Sequence, residues 1–376
     1  MKKICFITTV SSTIKAFILK TAEYIHDHTD WDISMICNTD DEFADSLPEY
    51  IHYYPVPMER GISPTGVKAM LDMYRIFKRE KFDLIQYSTP NAALYASVAG
   101  AMSCIKVRNY HLMGLRYLGA DGIGRVILKG IEKISCLLST HIECVSKSNM
   151  ELGVEEGLFP QKKATVIWNG STGGVDLKRF DFSKRQQWRT EIRNELGLEA
   201  EEFVYGFVGR ITRDKGINEL LEAFAGLENR GKLLLLGSMD GKETINQELL
   251  QSAQNNPEII FHDAVADVER YFAAIDVLLL PSYREGFGNV VIEAAAMKTP
   301  AIVSNIPGPT DAIKAGETAL VVEPRDIPSL TLAMNDIRNI DFKSMGTKSH
   351  AYVASHFDQE LLCKYILERK HHLLQH

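Results

Sequence analysis

The segment Pro281-Ser282-Tyr283-Arg284-Glu285-Gly286-Phe287-Gly288-Asn289-Val290-Val291-Ile292-Glu293-Ala294 reads as a crossing from strand to helix. The apolar run Val277–Leu280 before it predicts a buried parallel strand, and the apolar residues through Met297 predict a helix. The small-residue loop between them exposes backbone N–H groups at a helix N-terminus, which suits an anion. Two carboxylates bracket the site, Glu285 in the loop and Glu293 a little over one turn into the helix. Carboxylates are poor partners for phosphate and good acceptors for sugar hydroxyls. The pattern therefore fits a ligand that carries both, such as a nucleotide sugar. Taken alone it fits equally a solvated loop glutamate and a helix glutamate that complements the dipole.

Outward from this segment, strands alternate with helices in both directions. In the second half, strands are expected at Phe203–Val208, Lys232–Leu236, Ile259–Phe261, Val277–Leu280, Ala301–Ser304 and Ala319–Val322. Helices over Pro328–Arg338, Lys343–Ser355 and Gln359–Leu374 close the chain. In the first half, Ile4–Thr8, Asp32–Cys37, Ile51–Val56, Asp83–Gln86, Lys106–Tyr110, His141–Cys144 and Val166–Ile167 read as strands. The helices expected among them include Ile14–His26, Gly66–Lys81, Asn91–Met102 and Ile123–Ser139. This alternation predicts an α/β chain with two Rossmann-like, doubly wound parallel sheets. The expected domains are 1–172, 173–355 and a final helix over 356–376 that packs back toward the first domain.

In open α/β sheets, ligands bind beyond the carboxyl ends of strands. That rule selects Gly209-Arg210-Ile211-Thr212-Arg213-Asp214-Lys215-Gly216, Gly237-Ser238, His262-Asp263-Ala264-Val265 and Glu285–Asn289. Arg210 and Lys215 are spaced to converge on one phosphate. Backbone groups near Val265 are placed to meet a base. In the first half, His111 and Asn169-Gly170 close strands; each fits a structural role as well as a functional one.

With 376 residues, the chain is long enough for two cores. Its net charge of −7 lies entirely beyond residue 170, because residues 1–170 hold 19 basic and 19 acidic side chains. No basic arm points to nucleic acid. The basic face of 66–81 reads as a solvated crossover helix or as a membrane-facing patch. The six cysteines are scattered without a Cys-x-x-Cys pair and are expected as buried free thiols in a reducing compartment. No long apolar leader or spanning run is read, so a cytoplasmic protein is expected, peripheral at most. No metal-ligand spacing or serine-hydrolase elbow occurs.

Taken together, these residues resemble the retaining family 4 glycosyltransferases of the GT-B fold, across nearly the whole chain. Glu285-x7-Glu293 in its setting and Val208-Gly209-Arg210 with Lys215-Gly216 carry the resemblance. Asn169-Gly170 with Val175-Asp176 and Phe180 is similar to a family segment, interrupted here by Ser171–Gly174. Pro57–Pro64 and the region from Ser88 to Arg108 resemble the capsular and exopolysaccharide branch, with Tyr87 and Asn91 departing from its pattern. The resemblance implies two domains facing across a cleft and a nucleoside-diphosphate sugar donor, UDP-linked in preference to GDP-linked. Arg210 and Lys215 would neutralise the diphosphate. The amides of Gly286, Phe287, Gly288 and Asn289 would touch sugar and phosphate. Glu285 and His111 would hold the transferred sugar, Glu293 the ribose, and Asn169 and Val265 other parts of the donor. Thr9, Ser11 and Arg60 would contact the acceptor, a saccharide or a polyprenyl-diphosphate-linked saccharide of surface polysaccharide synthesis. The resemblance implies no metal and no cofactor, and a front-face substitution in place of a covalent Glu285 intermediate. A nucleotide-sugar epimerase on the same plan and a non-catalytic nucleotide-sugar binder are the alternatives.

Overall fold

The computed structural model describes residues 1–58, 65–228 and 230–375. These divide into two compact units, one of Met1–Gly173 with Glu360–His376 and one of Gly174–Gln359.

In the first unit the order is β1 (Lys3–Ile7), α1 (Ser11–Phe17), α2 (Leu19–His28), β2 (Asp32–Cys37), α3 (Asp41–Ser46), β3 (Ile51–Pro55), α4 (Thr65–Glu80), β4 (Leu84–Tyr87), α5 (Pro90–Met102), β5 (Val107–Leu112), α6 (Gly122–Leu138), β6 (His141–Cys144), α7 (Lys147–Glu155) and β7 (Ala164–Val166). The strands form one parallel sheet in the order β3-β2-β1-β4-β5-β6-β7. Buried Ile4, Phe6, Ile33 and Met35 pack one face, and Cys5, Ile7, Ile85 and Tyr87 the other. The sheet is thus covered on both sides, which is why its strands read as apolar runs.

In the second unit the order is α8 (Arg185–Glu195), β8 (Val204–Val208), α9 (Ile217–Ala225), β9 (Lys232–Leu236), α10 (Gln247–Gln254), β10 (Ile259–His262), α11 (Val268–Ala274), β11 (Val277–Leu280), α12 (Asn289–Ala296), β12 (Ala301–Ser304), β13 (Ala319–Val322), α13 (Ile327–Asn339) and α14 (Phe342–His356). Its parallel sheet runs β10-β9-β8-β11-β12-β13. The last helix, α15 (Gln359–Gln375), packs Leu367 and Leu373 into the core of the first unit. Asp40, Asp326 and Asp341 cap α3, α13 and α14 through their side chains, as N-cap carboxylates do.

Each sheet reverses its strand order once, between β1 and β4 and between β8 and β11. Such switch points leave a crevice at the carboxyl edge. The expected helix over Ile14–His26 is broken at Ile18, whose φ of −118° ends α1 and opens α2. The expected strand ending at Tyr110 runs on to Leu112, because His111 and Leu112 keep pairing with Glu143 and Cys144 of β6. Five cysteines are buried free thiols and Cys104 is exposed. Among the described residues, no helix is long and apolar enough to cross a membrane.

Candidate active site

At the switch point of the second unit, the loop after β8 lies against the loop after β11. The close approach needs glycine: at Gly216 (φ 75°) a Cβ would stand 2.1 Å from the Pro281 carbonyl oxygen. Tyr283 N–H donates to the Asp214 carbonyl at 3.0 Å. Across this clasp, Lys215 Nζ donates to Glu285 Oε1 at 2.6 Å, and Ser282 Oγ donates to the same oxygen at 2.9 Å. Both Lys215 and Glu285 are mostly buried, at 19% and 14% side-chain exposure. The loop after β9 is locked alongside, since a Cβ on Gly237 would meet the Gly209 carbonyl oxygen at 1.8 Å.

Arg210 is the exposed cation of this group, 3.8 Å from Asp214. Arg284 reaches the same Asp214 oxygen at 2.9 Å. Burial works to raise the Asp214 carboxyl, but the Thr212 hydroxyl and the Arg284, Arg210 and Lys215 cations outweigh it and hold it low. Three cations and two carboxylates are therefore gathered at one strand edge, and Arg210 and Lys215 each lie beside a carboxylate. Asp214 and Arg284 stood in the quoted segments without an assigned role. Their signal was charge beside a predicted strand end.

Glu293 lies one turn into α12. Burial pushes its carboxyl up to about 7, against the opposing pull of Arg179. Arg179 is itself tied to Glu269, donating from Nε at 2.9 Å and from a terminal nitrogen at 2.8 Å. Gly286 and Asn289 flank a Phe287 side chain that is core, packed on Phe357 with centroids 5.2 Å apart. Only the backbone of Phe287 is thus placed for a ligand. Val265 is half-buried in the loop after β10. The ring of His262, the last residue of β10, is held by the Tyr271 hydroxyl at 3.1 Å.

The first unit has its own clasped switch point. Thr9 N–H donates to Thr89 Oγ1 at 3.0 Å, and the two hydroxyls meet at 2.7 Å. Ser11 Oγ donates to Asp40 at 2.5 Å. Both hydroxyls named for an acceptor therefore have internal partners. Arg60 lies outside the described residues.

His111 is the penultimate residue of β5, at its carboxyl end and followed in the strand only by Leu112. Its Nδ1 lies 3.2 Å from Ser88 Oγ. It lines a small cavity of about 30 Å³ together with Gln86, Glu143 and Gly170. Burial, with Lys370 adding to it, lowers the imidazole to about 4. Behind it, Lys370 is fully buried, 3.8 Å from Glu143 and hydrogen-bonded to Gln86. Asn109 also donates to Gln86, at 3.1 Å. Nothing in α15 marked Lys370 as a core residue. Asn169 is exposed beyond β7, next to Trp168, which stacks on Tyr365. Among the described residues, no cluster of three or more His, Cys, Asp or Glu is arranged for a metal.

Residues 16–172 match the profile of Glycosyltransferase Family 4, and residues 189–347 that of Glycosyl transferases group 1. The chain belongs to the family 4 glycosyltransferases. This glycosyltransferase is 28% identical over 369 residues to the capsular polysaccharide biosynthesis glycosyltransferase CapM of Staphylococcus aureus, covering 96% of this chain and 94% of CapM. It is 24% identical to the UDP-Gal:alpha-D-GlcNAc-diphosphoundecaprenol alpha-1,3-galactosyltransferase of Escherichia coli, over 85% of this chain and 82% of that one. Among solved structures, sucrose-phosphate synthase of Thermosynechococcus elongatus superposes with a TM-score of 0.81 at 21% identity, each chain covered completely. Anabaena HepE in complex with UDP-glucose superposes with a TM-score of 0.79 at 18% identity, over 98% of this chain and 99% of HepE. The glycosyltransferase has the GT-B fold of two Rossmann-like parallel-sheet domains.

Proposed function

We propose that this enzyme transfers a sugar, with retention, from a UDP-sugar to a polyprenyl-diphosphate-linked saccharide in surface polysaccharide synthesis, at a membrane surface and without a metal. The observation that carries the reading is the clasp at the β8/β11 switch point, where Arg210, Lys215, Arg284, Asp214 and Glu285 meet. An incoming diphosphate gives Arg210 and Lys215 a stronger anionic partner than the carboxylates beside them. Two fixed cations stabilise the charge that develops on the leaving diphosphate, the task a metal performs elsewhere. Glu285, released from Lys215, accepts from hydroxyls of the transferred sugar, and Glu293 from the ribose. The amides from Gly286 to Asn289, at the N-terminus of α12, favour phosphate. Val265 and Asn169 contribute to donor binding, and His111 offers a neutral imidazole to the sugar. Thr9, Ser11 and Arg60 are assigned to the acceptor side.

The reaction is written as a front-face substitution. The bond from sugar C1 to the phosphate oxygen breaks, the bond from C1 to the acceptor oxygen forms on the same face, and the acceptor proton passes to the leaving phosphate. A double displacement would need a carboxylate close to C1. Once Lys215 has turned to the diphosphate, Glu285 Oε1 keeps the Ser282 hydrogen bond and is assigned instead to the hydroxyls of the sugar. The capsular role of CapM, the lipid-linked acceptor of the Escherichia coli relative and the UDP-glucose in HepE support the donor and acceptor classes. The test is proton NMR of UDP-sugar consumption, with EDTA present. Retention of the anomeric configuration and undiminished turnover are expected; inversion, or turnover lost with EDTA, would overturn the mechanism.

A further inference from the structure

Of the large apolar side chains that are exposed among the described residues, most lie on three neighbouring helices of the first unit. Val67 and Leu71 are on α4, Met102 on α5, and Ile123, Val126, Ile127, Ile134 and Leu137 on α6. On α6 these residues recur three, four, eleven and fourteen positions after Ile123, so they share one face. That face points outward: Ile123 is 79%, Val126 71% and Leu137 75% exposed. The inward face of α6 carries Glu132, Ser135 and Cys136 instead. The helix thus carries an apolar face outward in addition to the Leu128 and Cys136 it packs on the core, and an outward apolar band of this kind marks an interaction site.

The band borders an apolar groove of about 390 Å³, a size suited to a ligand. Its walls are Val67 and Met70 of α4 and Leu128 and Ile131 of α6; its floor is Leu94 of α5, and Arg116 lines it too. The groove has a direction. Gly66 and Val67 open α4, and Pro90 and Asn91 open α5, so their end of the groove lies at the carboxyl edge of the sheet. Thr89, which precedes that end, is the residue that bonds Thr9 at the switch point. Met70, Leu94, Leu128 and Ile131 follow α4, α5 and α6 away from that edge. The charges on α6 outside the core, Arg125, Lys129 and Lys133, are all cationic, although Glu156 pairs with the first two.

We propose that this groove holds the isoprenoid chain of the lipid-linked acceptor, with the chain's diphosphate end at the Pro90–Asn91 mouth and its far end running along α5 beneath the α6 band. The inference rests on the lipid-linked acceptor proposed above. An apolar floor, a polar mouth beside the sheet's carboxyl edge and cationic flanks match a molecule with an anionic head and a long hydrocarbon tail.

The test is direct binding of undecaprenyl diphosphate in neutral-detergent micelles, beside geranyl diphosphate and inorganic diphosphate, to the full chain. The long chain should bind about tenfold tighter than geranyl diphosphate, and a charge placed in the groove should remove that gain. Leu94→Asp and, independently, Ile131→Asp should show this loss with circular dichroism and melting unchanged. Val126→Asp, on the band but outside the groove, should keep the gain. Equal binding of long and short chains, or groove variants that keep the preference, would overturn the proposal. So would full competition by anionic phospholipid vesicles that lack polyprenyl lipid, which would make the face a bilayer contact only. The assay needs no turnover. Failure of the groove therefore leaves donor chemistry untouched, and failure of donor turnover leaves the groove result standing.

Discussion

Removing the cation from the Lys215–Glu285 clasp should separate its structural part from its catalytic part. In Lys215→Met, Glu285 loses a partner at 2.6 Å while both side chains are mostly buried. The gross attraction at that distance is about 6 kcal/mol in a medium of intermediate dielectric, most of it offset by desolvation. Breaking a buried pair costs about 3–5 kcal/mol, and the residual exposure and the Ser282 hydrogen bond bring the expected cost here to about 2 kcal/mol. For a domain of this size, that lowers the melting temperature by roughly 4–8 °C. Transfer should fall much further, by about 10²–10³ in kcat, because a preorganised charge at the leaving group is lost. Lys215→Met/Glu285→Gln removes the stranded carboxylate too, so it should recover stability but not rate. Calorimetry and initial-rate UDP release read the two quantities on the same samples. A double variant no more stable than the single, or a single variant within about threefold of wild-type kcat, would refute the reasoning.

Glu293 should make both stability and UDP binding depend on pH. Its folded value is raised to about 7, so its contribution to stability is intact below the ordinary carboxylate range and is lost as pH rises through 7, about 3 kcal/mol in all. Glu293→Gln should remove that loss, visible as a flatter melting profile between pH 5 and about 8, and should weaken UDP about tenfold by titration calorimetry, since a charged acceptor is lost. Lys370→Met should strand Glu143 and cost about 3–5 kcal/mol, whereas Lys370→Met/Glu143→Gln should recover most of it; additive losses in denaturant titrations would contradict a buried pair. His111, lowered to about 4, should make the first unit less stable as pH falls from the ordinary histidine range through 4, because the unfolded chain binds the proton more readily; His111→Gln should flatten that limb of the melting profile.

Much of this architecture was legible because a parallel sheet buried on both faces writes its strands as uninterrupted apolar runs. Val277–Leu280, Lys232–Leu236, Ala301–Ser304 and Asp32–Cys37 carry the same bounds in the sequence reading and in the structure. The loops after β8 and β11 were located in the same way, and Lys215 and Glu285 meet there. What stayed hidden depends on distance in the chain. The bond between Lys370 and Gln86 joins residues 284 apart, and α15 reads as an ordinary charged helix until its packing is seen. Asp214 and Arg284 were quoted without roles, because a single charge in a loop does not declare which partner it will find. Short helices such as α3, six residues long, have too few turns to show a period. The segment of α6 was legible as a helix that could meet a membrane surface, but periodicity alone does not say which of its faces meets the core.

The central claim is that the clasped loops of the second unit activate a nucleoside-diphosphate sugar for transfer. It is tested most directly by incubating the wild type and Lys215→Met with a panel of UDP- and GDP-sugars and following each donor and its released nucleotide by mass spectrometry. The account predicts that a UDP-sugar is consumed, with UDP released by the wild type and release suppressed about a hundredfold in the variant. Binding without release on every donor, or equal release by both proteins, would contradict it.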